Sequence, residues 1–306
     1  MSGRPMRTAL PTLLLLAAAV ASSEEYRHGP DSERHDGVPK GKVTQLHWAS
    51  AIFAGTERDW WIYVPAQYDQ TRPSAYMVFQ DGGWYLDEHG DFRVPVVLDN
   101  LIARGELPPI IGIFINPGVF PGKNGEKDRS DRSFEYDTLS DQYVRFLAEE
   151  ILPQVAKSYA LSADAKDHAI GGASSGAICA FTAAWQRPAL FSKVLSHIGS
   201  YTDIAGGRTL IEGGHNYPPL IRRTKPAKPI RVFLQDGTGD IDNEFGNWHL
   251  ANLEMAAALK FAGYDHTTEW GTEGHNGKHG GAILPDSLRW LWRGAGLAPA
   301  PEKVAK

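Results

Sequence analysis

The segment Ala169-Ile170-Gly171-Gly172-Ala173-Ser174-Ser175-Gly176 decides how this chain is read. It holds the pattern Gly-x-Ser-x-Gly at positions 172–176. A short strand-like run, His168-Ala169-Ile170, enters it, and a helix-forming run over residues 177–186 leaves it. A strand that turns so abruptly into a helix leaves no room for side chains two residues before and two after the apex, which explains the glycines. The apex residue is held at the tip of a strained elbow with its hydroxyl facing out. Ser174 is therefore the candidate nucleophile of an acyl-transfer reaction, with water or another acceptor taking the acyl group.

Outward from the elbow, strand and helix signals alternate. Residues 60–64, 76–80, 110–115, 191–196, 230–235 and 266–270 are short β-rich or apolar runs closed by turn residues. Residues 96–104, 139–158, 250–262 and 285–292 carry helical periodicity, for example Leu139, Tyr143, Phe146, Leu147, Ile151 and Val155 on one face. Residues 119–131 read as a polar loop. Such alternation predicts an α/β fold with a mostly parallel central sheet and helices on both faces. Functional groups of such sheets collect beyond the carboxyl ends of the strands. Asp81-Gly82-Gly83, Asn116-Pro117, Ser174, the run from Asp236 to Asp242, and His275 all fall there.

A serine nucleophile needs a base, an acid that orients the base, and donors for the oxyanion. After an elbow of this kind the order along the chain is serine, acid, histidine. The predicted strand 231–235 opens into Asp236-Gly237-Thr238-Gly239-Asp240-Ile241-Asp242. Asp236 lies very near the strand end, so Asp240 is the preferred acid, with Asp242 as the alternative. His275, in the glycine-rich run Gly271-Thr272-Glu273-Gly274-His275-Asn276-Gly277, is the preferred base, with His279 as its competitor. His197, His215 and His249 read as packing or surface residues. The oxyanion is expected to meet the backbone N–H of Ser175, at the start of the helix, and that of Gly83, preferred over Gly82.

The chain has 306 residues, 42% of them hydrophobic and 22% charged, which is enough for one large domain with a substantial core. A net charge of −5 argues against nucleic acid as a partner. Its 11 histidines lack a Cys/His metal spacing, so no structural zinc site is expected, a serine mechanism calls for neither metal nor organic cofactor, and the single cysteine, Cys179, excludes an internal disulfide. Arg4 and Arg7, the apolar run 10–20 and Ala19-Val20-Ala21 read as a secretory leader over residues 1–21. That run is shorter than the about 20 apolar residues that a spanning helix needs. The mature chain is therefore expected in the periplasm or outside the cell, with no membrane partner. Residues 22–42 are expected to be irregular, residues 43–295 to form the domain, and residues 296–306 to form a flexible tail.

Taken together, these residues resemble the esterase D and enterochelin-esterase-like branch of the α/β-hydrolases, which includes feruloyl and acetyl-xylan esterases and mycolyltransferases. The resemblance rests on Thr56-Glu57-Arg58-Asp59-Trp60, Val78-Phe79-Gln80-Asp81-Gly82-Gly83-Trp84, Arg132-Ser133-Phe134-Glu135-Tyr136, the elbow, and Gly274-His275-Asn276. It implies a single α/β-hydrolase domain without a large lid. It also implies Ser174, an aspartate after strand 230–235 and His275 as the triad, with Gly83 as an oxyanion donor. Arg132 and Glu135 resemble a recurring paired element that shapes the substrate site, with a buried structural ion pair as the alternative, and Trp84, near the expected site, would suit stacking on a sugar or phenolic ring. The implied activity is a secreted carboxylic-ester hydrolase that needs no cofactor. Its expected substrates are polysaccharide esters, phenolic esters or siderophore trilactones. Acyl transfer to a sugar, or sugar binding without catalysis, are the alternatives. Gly277 and His279 stand where enterochelin esterases carry a tryptophan, and the leader takes the place of their N-terminal accessory domain.

Overall fold

The strands form where the apolar runs are. The computed structural model describes residues 25–205 and 213–295; the leader assigned to residues 1–21 and the tail at 296–306 lie outside them. Among the described residues, eight long strands are present: β1 (Lys42–Ala49), β2 (Glu57–Val64), β3 (Ala75–Gln80), β4 (Ile110–Ile115), β5 (His168–Ala173), β6 (Lys193–His197), β7 (Arg231–Gly237) and β8 (Asp265–Gly271). They lie in the order β1-β2-β4-β3-β5-β6-β7-β8. β1 pairs antiparallel with β2, β2 antiparallel with β4, and the rest are parallel.

β3, β4 and β5 are buried along their whole length, as expected of parallel strands covered on both faces. The two-residue side-chain period divides them between two cores. Tyr76, Val78, Ile111, Ile113, Ile170, Val194, Val232 and Leu234 face one. Met77, Phe79, Ile110, Phe114, Ala169, Leu195 and Phe233 face the other.

The helices are α1 (Gly82–Leu86), α2 (Val94–Ala103), α3 (Arg132–Asp137), a rod α4 over residues 142–156, α5 (Ser175–Gln186), α6 (Tyr217–Arg223), α7 (Trp248–Ala262), α8 (Lys278–Ala282) and α9 (Leu284–Leu291). α4, α5, α6 and α7 fill the first core, and α2 and α9 the second. The rod starts three residues later than its periodicity suggests. Its middle, Leu147–Ile151, is wound as a π-helix, and the N–H of Leu152 donates to the carbonyl of Leu147. Pro153 is the cause: it has no N–H to give Glu149 and its ring crowds that carbonyl, so the helix takes in an extra residue instead of breaking. The loop at 119–131 contains a two-strand extension, Val119–Phe120 with Arg129–Ser130.

Residues 25–41 are irregular apart from one short 3₁₀ turn, Pro30–Ser32, yet they are pinned to the domain. Asn100 donates to the carbonyls of Asp31 and Glu33, Arg104 and Arg289 converge on Asp31, and Arg34 pairs with Asp99. The Tyr26 ring stacks on His279 with centroids 4.1 Å apart, and its hydroxyl accepts from the N–H of Thr272 at 3.0 Å. Among the described residues, no helix is long and apolar enough to cross a membrane.

Candidate active site

The elbow is as tight as its glycines suggest. Ser174 adopts φ +60° and ψ −127°, a region that a non-glycine residue enters only when its surroundings hold it there. Its N–H donates to the His197 carbonyl at 3.0 Å. A Cβ on Gly172 would lie 2.4 Å from the backbone of Gly176, so the strand-to-helix turn leaves no space for one. α5 starts at the next residue, and the Ser175 N–H belongs to the first turn, where amides have no intrahelical partner.

Three strand ends meet at this hydroxyl. His275, from the loop after β8, brings Nε2 to 2.9 Å from Ser174 Oγ. Its Nδ1 lies 2.6 Å from Asp240 Oδ1, in the turn after β7. A carboxylate at Nδ1 selects the tautomer with the proton there, which leaves Nε2 as an acceptor for the serine proton. The Asp240 side chain is fully buried, whereas that of His275 is 21% exposed at the mouth of the site. The two competitors lie elsewhere. Asp242 is exposed in a small hairpin, Asp242–Asn243 with Gly246–Asn247. His279 is buried between the Tyr26 ring and Gln235, whose Nε2 is 3.1 Å from its Nδ1.

Asp240 is backed by a second acid. Asp236, the penultimate residue of β7, has no exposed side-chain surface and lies 3.1 Å from His249 Nδ1. Burial, reinforced by the adjacent Asp240, pushes its carboxyl up to about 9. Burial also works against ionised Asp240, but hydrogen bonds from His275 and Asp236 outweigh it and hold Asp240 below the usual carboxylate range. At neutral pH, Asp236 is thus a protonated acid donating to the Asp240 carboxylate. His249, read from the sequence as a packing residue, completes this arrangement.

The consequence for stability has a definite sign. Between pH 3.8 and about 9 the unfolded chain has released the Asp236 proton and the folded chain still holds it, so this group makes stability fall as pH rises. Asp236→Asn retains an N–H donor toward Asp240 and removes the titration. It should therefore melt a few degrees higher relative to wild type at pH 8 than at pH 4, with activity preserved. Thermal melts at the two pH values check this, and an unchanged difference would refute it.

The oxyanion loop differs from expectation in one respect. The N–H of Gly83 does not face open space but donates to Asn116 Oδ1 at 3.0 Å. Asn116 follows β4 and reaches across the strand ends. Gly82 is fixed by crowding, since a Cβ there would lie 2.4 Å from the Ile115 nitrogen. Asp81 before it is left-handed, with φ +52°. The Arg132 guanidinium holds it through two bonds of 2.8 Å each.

Arg132 and Glu135 therefore do not pair with each other, which corrects the expectation of a substrate-shaping pair. Glu135 is engaged by Arg58 of β2 through two bonds of 2.7 Å, and both side chains have zero exposure. Glu135 also accepts from the Gly118 N–H at 3.1 Å. A carboxylate sealed in this way cannot touch a substrate; it braces α3 against β2. Arg132 acts on the site at one remove, through Asp81. Trp84 is half-buried, donates from its indole to Asp91 Oδ2 at 3.2 Å and packs on Phe92.

Ser200 and Trp248 complete the surroundings of Ser174. Ser200 Oγ lies 3.0 Å from Ser174 Oγ and accepts from Trp248 Nε1 at 2.8 Å. Sequence reasoning passed over Ser200, although Ile198-Gly199-Ser200 follows β6 at the same sheet edge as the other groups. A cavity of about 350 Å³ is lined by Tyr201, Thr202, Phe245, Asn247 and Leu250 among others, without Ser174, His275, Ser200 or Trp248 in its wall. A larger one, about 480 Å³, opens around Lys193 and Arg231, the first residues of β6 and β7, at the opposite end of the sheet. Among the described residues, no group of three or more His, Cys, Asp or Glu side chains is arranged to hold a metal.

The strand order and the elbow define an α/β-hydrolase. The family model named Esterase matches residues 50–278, and the chain belongs to that family. It is 26% identical over 263 residues to the iron(III) enterobactin esterase of Dickeya dadantii, covering 83% of this chain and 55% of that protein. It is also 26% identical over 210 residues to an endo-1,4-beta-xylanase/feruloyl esterase of Xylanibacter ruminicola, covering 66% of this chain and 25% of that protein. The chain thus spans only about half and a quarter of these relatives. Among solved structures, the enterobactin esterase of Shigella flexneri in the presence of enterobactin superposes with a TM-score of 0.66 at 21% identity, covering 83% of this chain and 60% of that one. A ferulic acid esterase gives 0.65 at 18% identity, covering 83% and 99%. These structures share the fold.

Proposed function

We propose that this protein is a serine carboxylic-ester hydrolase, with Ser174 as nucleophile, His275 as general base and acid, and Asp240 as the group that orients and charges the imidazole. The observation carrying this reading is the unbroken row from Asp240 through His275 to Ser174, at 2.6 and 2.9 Å, built from three separate strand ends. Ser174 Oγ attacks the acyl carbon as its proton passes to His275 Nε2. The oxyanion is met by the Ser175 N–H and, once the Asn116 amide turns aside, by the Gly83 N–H. His275 then protonates the departing alkoxide, and water activated by the same imidazole releases the acid.

The substrate we infer is an ester with an aromatic or sugar-linked group, acted on outside the cytoplasm. Supporting it are relatives named for enterobactin and feruloyl esters and the leader signature at residues 4–21. A fluorophosphonate probe should label the wild-type protein on the peptide carrying Ser174. A panel of methyl ferulate, acetyl-xylan and a catecholate trilactone should then yield turnover on at least one. Product formed only when a sugar acceptor is added would turn the reading toward acyl transfer. Absence of both labelling and turnover would overturn it.

A further inference from the structure

The hydrogen-bond directions around Ser174 are forced. The Trp248 indole N–H can only donate, so Ser200 Oγ accepts from it. With the Nδ1 proton of His275 given to Asp240, Nε2 accepts, and the single Ser174 proton goes there. The remaining contact, Ser200 to Ser174 at 3.0 Å, then has only one available proton, that of Ser200. Ser174 Oγ thus gives one hydrogen bond and receives one.

The surroundings hold Ser200 in this role. It is fully buried, and its N–H donates to the Ser174 carbonyl at 3.3 Å. Two residues earlier, Ile198 has φ +41°, an outlier for a β-branched residue. Its N–H is held by the Gln235 carbonyl at 2.7 Å. Asn252, one turn along α7 from Trp248, donates to the Gly199 carbonyl at 2.7 Å. Strain of this kind persists only where neighbours impose it, and it gathers at functional sites.

We propose that Ser200 is a second catalytic hydroxyl, donating to Ser174 Oγ and aimed by Trp248. This rests on Ser174 being the nucleophile. The bond fixes the serine rotamer that faces His275 without competing for the imidazole. It also stabilises negative charge on Oγ twice, as the serine attacks and as it departs from the acyl-enzyme. No proton changes hands through Ser200.

Ser200→Ala should lower kcat and the rate of fluorophosphonate labelling in parallel by about 10- to 100-fold, with KM little changed. The acid limb of the pH–rate profile should stay in place, because Ser200 does not touch His275. Ser200→Thr, which keeps the hydroxyl, should recover most of the rate, and Trp248→Phe should lower kcat less than Ser200→Ala does. Wild-type rates in Ser200→Ala, a Thr variant as slow as the Ala variant, or a defect carried by KM would each overturn the proposal. Ser174→Ala, measured alongside, separates the two levels: if it remains active, the nucleophile assignment falls as well, and if it is dead while Ser200→Ala is normal, only the role of Ser200 falls.

Discussion

Ser174→Ala and His275→Ala should each lower kcat on a p-nitrophenyl ester by about 10⁶-fold, and the double variant should be scarcely worse than either. Serine hydrolases show this non-additivity because nucleophile and base act as one unit, and residual turnover comes from oxyanion donors and binding alone. The geometry gives His275 no substitute, since His279 is buried against Tyr26 and Gln235. His279→Gln should therefore keep most activity. Single-turnover assays on the four proteins decide the matter: a His275→Ala enzyme near wild-type rate, or a dead His279→Gln enzyme that is still folded, would move the base to the other imidazole.

Asp240→Asn should lower kcat by about 10⁴-fold, the size of the wrong-tautomer effect in serine proteases. An amide turned with its N–H₂ toward His275 Nδ1 drives the imidazole proton to Nε2, where it faces the serine hydroxyl and can accept nothing. Asp242→Asn, on the exposed hairpin, should leave the rate near wild type. Asp236 cannot take over in the Asp240→Asn enzyme, because its carboxyl is directed to His249 and to the back of position 240. The pH–rate profiles of both variants read the result, and a large loss in Asp242→Asn would reverse the assignment.

Much of the fold could be read from the chain because parallel strands buried on both faces must be apolar throughout, as Ile110–Ile115 is along its whole length. β1 escaped because an edge strand needs only alternate burial, and Lys42–Ala49 interleaves polar residues with Leu46 and Trp48. α1 and α3 escaped because five or six residues carry too little periodicity, and α1 opens on two glycines. The site was legible where chain order and turn chemistry constrain it: at the elbow, in the acidic turn, and in the glycine-flanked histidine. It was not legible where partners come from distant elements. Arg132 and Glu135 sit three apart on one helix, which suggests a pair, but Asp81 and Arg58 approach from β3 and β2 and take one each. Asp236 and Ser200 show the same limit, since a buried acid and a second hydroxyl gain their roles only from Asp240 and Trp248 across the sheet edge.

The clasp between Tyr26 and the segment at Thr272 and His279 joins the earliest described residues to the loop that carries the imidazole. Tyr26 and Thr272 are 246 residues apart along the chain, so the clasp is a contact of very high sequence separation. Assembly of the reactive groups consequently depends on long-range closure.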